Sequence, residues 1–138
     1  MDFLFSFRTI THIAAIFACF LLVDSVYLYN IAGVFGDMIQ QIQRSPLQIK
    51  WLGALICYLA LTGVLYWFII KPRRPATDAA ILGAAIYAVY ESTSYATLKG
   101  WNGMVAMIDT VWGGILFYIV TQLVYLAIPE RRMSTEIK

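Results

Sequence analysis

Charge is what this sequence has least of. Only 13% of its 138 residues are Asp, Glu, Lys or Arg, about half the share found in soluble domains. A chain this short leaves too much surface exposed to hide a 61% apolar content from water. A water-soluble globular fold is therefore excluded, and lipid must be the main solvent. Histidine occurs once, at His12, so no imidazole accompanies Ser25 or Ser94 and a nucleophilic triad is not supported. Cysteine occurs twice, and Cys19 and Cys57 each lie in an apolar run. They read as buried thiols rather than as a disulfide framework or a metal pair. There is no Gly-rich phosphate loop, no Cys-x-x-Cys and no His-Glu-x-x-His, so no cofactor and no metal is assigned. A net charge of +2 without a basic, aromatic-interleaved patch argues against nucleic acid as a partner.

Long apolar runs are what remains. A bilayer core about 30 Å thick needs roughly 20 apolar residues per helix. Runs of that length occupy residues 10–30, 51–70, 79–98 and 103–128. Lipid offers no partners to open backbone groups, so each run must be helical. Barrel strands would be shorter and would alternate. The expected fold is thus all-α: a polytopic membrane protein and four-transmembrane-helix bundle, in one domain over residues 1–138. The first run follows Arg8 without a small-residue cleavage site, and reads as a retained span.

Three connections punctuate the runs. Phe35, Met38, Ile39 and Ile42 repeat at helical spacing with Asp37, Gln40, Gln41 and Gln43 between them. That pattern predicts a short amphipathic segment in the first loop, lying at the membrane surface and ended by Ser45-Pro46. Lys71-Pro72-Arg73-Arg74-Pro75 breaks the chain on both sides and makes the second loop. Lys99 to Gly103 forms a tight turn, in which Trp101 reads as an interfacial anchor, like Trp51. Both termini and the second loop share one side of the membrane. That side holds Arg8, Lys71, Arg73, Arg74, Arg131, Arg132 and Lys138, against Arg44, Lys50 and Lys99 opposite. The positive-inside rule places both termini in the cytoplasm.

Three acids interrupt the spans. Asp24 lies six residues before Asn30, Glu91 seven before Leu98, and Asp109 six after Gly103. At 1.5 Å per residue each falls roughly 9–10 Å inside the outer boundary. Three helices therefore bring acids to one level. A charge near the middle of a span costs about 2.5–3.5 kcal/mol, so protons, a cation or hydrogen-bond donors must compensate them. Tyr87, Glu91, Ser94 and Tyr95 share a helical face, as do Asp24, Tyr27 and Leu28, and Asp109, Trp112 and Gly113. Tyr58 heads a stripe with Thr62 and Tyr66 on the second span, at the depth of the acids. Ala80, Ala84 and Ala88 would let the third helix approach a neighbour closely. Lys50 and Lys99 at the outer ends either snorkel to water or bend down toward the acids. His12, near the inner end of the first span, reads as an interfacial side chain.

The stretch from Tyr87 to Trp101 (YAVYESTSYATLKGW), followed by Asp109-Thr110-Val111-Trp112-Gly113, resembles the signature of a predicted-membrane-protein family, domain of unknown function 2177. Asp24 falls where that family carries an aspartate in its first span. This sequence departs from the pattern at Glu91 and Ser94, where the family has aspartate and asparagine. It also departs at Tyr27 and Asn102, where the family has tryptophan and proline. The resemblance implies the same membrane fold and the same acidic positions, and carries no activity with it.

Together these features predict binding or passage of a small cation, proton or polar solute. Asp24, Glu91 and Asp109 would be ligands or proton carriers; Tyr27, Tyr58, Tyr87, Ser94, Tyr95 and Lys99 would shape the site, with Trp112 beside Asp109. A transporter with four helices per chain would need a homo-oligomer. One alternative is a membrane-embedded enzyme acting on a lipid or isoprenoid, the acids serving as general acid and base. It requires an apolar groove reaching the acids from the lipid side. Another is a non-catalytic accessory subunit, whose acids fix helix register.

Overall fold

The computed structural model describes residues 6–129. Four helices follow in order: α1 (Phe7–Gln43), α2 (Trp51–Leu65) running into a π turn (Tyr66–Ile70), α3 (Ala76–Thr97) and α4 (Gly103–Ala127). No strand occurs among the described residues. α1, α2 with its π turn, and α4 are each long and apolar enough to cross a membrane. α3, with 22 residues, is about 33 Å long but carries more polar side chains. Large apolar side chains such as Leu22, Val26, Leu52, Ile81, Val89 and Leu126 face outward. That inside-out surface suits lipid and would be a liability in water.

The four helices close around Ile16, Phe20, Leu61, Leu65, Leu116, Phe117, Val120 and Val124. Phe20 meets Phe117 edge-on at 5.1 Å. α3 and α4 form the tightest pair, joined by a five-residue turn and therefore antiparallel. Their approach depends on glycine. A Cβ on Gly83 would lie 2.3 Å from the Gly113 carbonyl oxygen, and one on Gly113 would lie 2.3 Å from the Tyr87 ring. Gly114 sits against Ala80 and Ala84. The small residues expected on α3 thus meet a matching pair on α4, whereas Ala88 lines a groove at the helix surface.

The amphipathic segment of the first connection is not a separate surface helix. Residues 31–43 continue α1 without a break, giving 37 residues and a length of about 55 Å. No proline falls between Asn30 and Gln43, and Gly33 and Gly36 face open space and are tolerated within the helix. The helix ends just before Ser45-Pro46, with Arg44 in the left-handed region at φ 60°. Its apolar stripe of Phe35, Met38, Ile39 and Ile42 packs on Trp101, Val105 and Ala106. α1 therefore runs past the neighbouring helices and roofs the turn of the α3–α4 hairpin.

Two smaller expectations are also corrected. Cys57 is exposed on the outside of α2 and only Cys19 is half-buried; both thiols are free. His12 is 7% exposed, its Nδ1 2.7 Å from the Arg8 carbonyl, so at its end of the span the ring is packed within the protein rather than open to solvent. Arg131, Arg132 and Lys138, three of the cations used to orient the chain, lie outside the described residues.

Candidate functional site

Each of the three acids receives a hydrogen bond from an aromatic side chain on another element. Asp24, 6% exposed, accepts from Tyr58 Oη at 2.5 Å and from Trp112 Nε1 at 2.8 Å. Asp109 accepts from Tyr27 Oη at 2.8 Å. Glu91, 1% exposed, accepts at Oε2 from Trp101 Nε1 at 2.8 Å. Asp109 is the acid that neighbours Glu91, with no hydrogen bond joining the two carboxyl groups.

The exchange between α1 and α4 follows from their spacing. Each helix carries an acid and, three residues later, an aromatic donor on the same face. Because the helices run in opposite directions, the donor of one lies level with the acid of the other. The two rings pass each other between the acids and stack, 4.6 Å apart and 9° from parallel. The acids consequently form two tiers, not one level. Asp24 shares the deeper tier with Tyr58 and Trp112; Asp109 and Glu91 share the outer one with Tyr27 and Trp101. One helical turn, about 5 Å, separates them.

Trp101 is the residue that its loop position disguised. Far from anchoring at the interface, it is 6% exposed under the overhang of α1. Phe35 and Tyr90 contact its ring edge-on, at 5.7 Å and 6.3 Å. A buried indole needs an acceptor, and Glu91 supplies it. The signal available in the sequence was its place in the Tyr87–Trp101 signature. Trp51, by contrast, is exposed as expected.

The remaining expected residues divide. Tyr27 and Tyr58 donate to acids, and Tyr87 packs on Gly113, the residue after Trp112. Ser94 is buried one turn from Glu91. Trp112 reaches Asp24 rather than resting beside Asp109. Tyr95 is exposed and covers Gly103. Lys50 and Lys99 are exposed and pair with none of the three acids. Among the described residues, no three His, Cys, Asp or Glu side chains group to hold a metal ion.

Two features of the outer tier bear on its chemistry. Glu91 Oε1 is buried and has no donor. A groove of about 520 Å³ opens from the lipid side, lined by Ala88, Glu91, Tyr95, Ala106, Met107 and Thr110. Residues 9–126 match the family model described as predicted membrane protein (DUF2177). The chain belongs to that family. The match takes in all four helices and all three acids, so the DUF2177 resemblance carried by the α3–α4 hairpin extends across the bundle. Comparison with curated proteins and with solved structures finds no match.

Proposed function

We propose that the protein binds a proton at the Glu91–Asp109 pair and that this exchangeable proton is central to its function in the membrane. The observation that carries the reading is Glu91 itself, fully buried, with Oε2 held by Trp101 and Oε1 undonated beside a second carboxyl group. A proton between the two carboxyl groups gives Oε1 its missing partner and removes a charge that lipid tolerates poorly. A metal cation suits the site less well. Four of the six carboxylate oxygens of the three acids face Tyr O–H or Trp N–H groups, whose positive ends would repel a cation. Passage of protons across the whole bilayer would require further polar groups below Asp24, and a homo-oligomer is where we place them. The charge bias of the loops orients the acids toward the outer side, with both termini cytoplasmic.

Thermal melting of the purified protein in detergent tests the proposal. If the folded state keeps a proton that the unfolded chain releases, unfolding releases protons and stability falls as pH rises. Wild type should show that fall, Glu91→Gln should not, and alkali or alkaline-earth cations should change neither. A cation that stabilises wild type but not Glu91→Gln would replace this reading with cation binding. Equal pH dependence in both would remove Glu91 from the account.

The lipid-side groove favours one other reading. An amphiphile lying in it would bring its polar head to Glu91, where the acid pair could act as general acid and base. Protection of a cysteine placed at Met107 by added lipid, at fixed pH, separates this reading from proton binding alone.

A further inference from the structure

The far part of α1 is held to the hairpin at its end, not along its length. From Leu28 to Val34 every residue but Ile31 is exposed, so for about two turns the helix has almost no neighbour. Contact resumes at Phe35, Met38, Ile39 and Ile42, which rest on Trp101, Val105 and Ala106. Gly33 lies in the unsupported stretch and Gly36 just beyond it. A Cβ on either would meet nothing within 4 Å, so packing does not call for glycine here as it does at Gly83 and Gly113. Glycine lowers helix stability relative to alanine, which makes α1 easiest to bend at these two positions.

The attachment at the far end is slight. Among the described residues one hydrogen bond crosses from it to the hairpin, Asn102 N–H to Met38 Sδ at 3.3 Å, and a thioether is a weak acceptor. Residues 44–50, which follow, are exposed throughout and non-helical, so the chain has slack to follow a movement of the helix. Segments held by few buried contacts are where proteins open locally. Trp101 lies beneath. Phe35 covers its ring edge-on at 5.7 Å, and its Nε1 holds Glu91 Oε2 at 2.8 Å. Lys99 and Asn102 on either side are exposed, which marks the turn as water-facing up to the edge of this cover.

We propose that residues 31–43 form a strap that opens by bending at Gly33 and Gly36, and that its opening admits water to Glu91. This role rests on reading Glu91 and Asp109 as a proton site, and adds what controls exchange there. With the strap closed, Trp101 is 6% exposed and Glu91 1%. The groove beside Glu91 opens toward lipid, which holds no water to exchange with. Lifting Phe35 and Met38 uncovers the indole, and an indole that turns outward leaves Glu91 Oε2 to a water molecule. Proton exchange then waits on the strap, at the microsecond-to-second pace of local opening.

Two rates on the detergent-purified full chain test this. Cys19→Ser, Cys57→Ser and Val105→Cys together leave one thiol, beneath the strap, and its modification by a charged, water-soluble maleimide reads the opening. In chains with Val105 intact, the rate at which the protonated-carboxyl infrared band shifts after transfer to deuterium oxide reads access to Glu91. Gly33→Ala with Gly36→Ala removes the easy bend without a clash and should slow both rates at least about fivefold, the helix preference of one alanine over glycine. Gly63→Ala, equally open on α2, should change neither. Unchanged labelling in the double variant, or equal slowing in Gly63→Ala, would overturn the strap. Slower labelling with unaltered deuterium exchange would mean that water reaches Glu91 another way, and would overturn its control of access. A wild type without the protonated band removes the proton reading and the access role with it, whereas the labelling rates would still show whether the strap opens.

Discussion

Tyr27 of α1 and Trp112 of α4 stack face to face, 4.6 Å between centroids, and each donates its hydrogen to the acid that the other helix carries. Stack and hydrogen bonds enforce one register. Sliding either helix by one turn would separate both donors from both acids and leave two carboxyl groups unsatisfied in lipid. The arrangement therefore specifies how α1 meets α4 whatever else the acids do.

Removing one donor should cost little more than a hydrogen bond. Tyr27→Phe keeps the ring and loses the hydroxyl, with an expected destabilisation of about 1 kcal/mol. Trp112→Phe also shortens the ring and should cost more. Because the two share one stack, the double variant should lose less than the sum of the single losses, as a thermal or denaturant double-mutant cycle would measure.

The α3–α4 seam gives a sharper expectation. Gly83→Ala places a methyl group against backbone, the Gly113 carbonyl, and must push the helices apart. A loss of about 1–3 kcal/mol is expected from overpacking. Gly63→Ala, where a Cβ meets nothing within 4 Å, should be neutral or slightly stabilising. Equal effects at the two positions, measured by melting in one detergent, would contradict the seam.

The helices were legible because lipid demands long apolar runs, and the acids because each interrupts one. Their partners were only half legible. Helical spacing put Tyr27 on the face of Asp24 and Trp112 on that of Asp109, but a face says nothing about which neighbour it meets. The exchange depends on α1 and α4 being adjacent and antiparallel, a tertiary fact. Trp101 was misread because a tryptophan beside lysine and glycine at a span's end fits an interfacial belt. It is buried only because α1 continues past Asn30 and covers it. That continuation was itself hidden: a polar, glycine-containing stretch after a span resembles a loop until its apolar stripe finds Trp101, Val105 and Ala106.

Trp101→Phe should therefore act through Glu91. Losing the indole N–H leaves Glu91 Oε2 without its donor, for an expected cost of about 1–3 kcal/mol. Adding Glu91→Gln, which supplies its own donors, should recover part of that loss in the same melting assay. Failure of any recovery would mean that Trp101 matters only as packing beneath α1.

Thiol labelling checks the orientation of α2. Cys57 lies exposed on the outside of the bundle and Cys19 is half-buried. A membrane-permeant maleimide should modify Cys57 faster than Cys19, the two read separately in Cys19→Ser and Cys57→Ser. The reverse order would mean that α2 is rotated relative to the Tyr58–Asp24 contact.

The central claim is that a proton resides at Glu91 and Asp109, and infrared difference spectroscopy observes it directly. The pH-induced spectrum of wild type should contain a protonated-carboxyl band that shifts in deuterium oxide, vanishes in Glu91→Gln, and changes frequency in Asp109→Asn. A wild-type spectrum with no protonated carboxyl at any pH at which the protein stays folded would contradict the account. The acids would then be a fully ionised network that sets helix register.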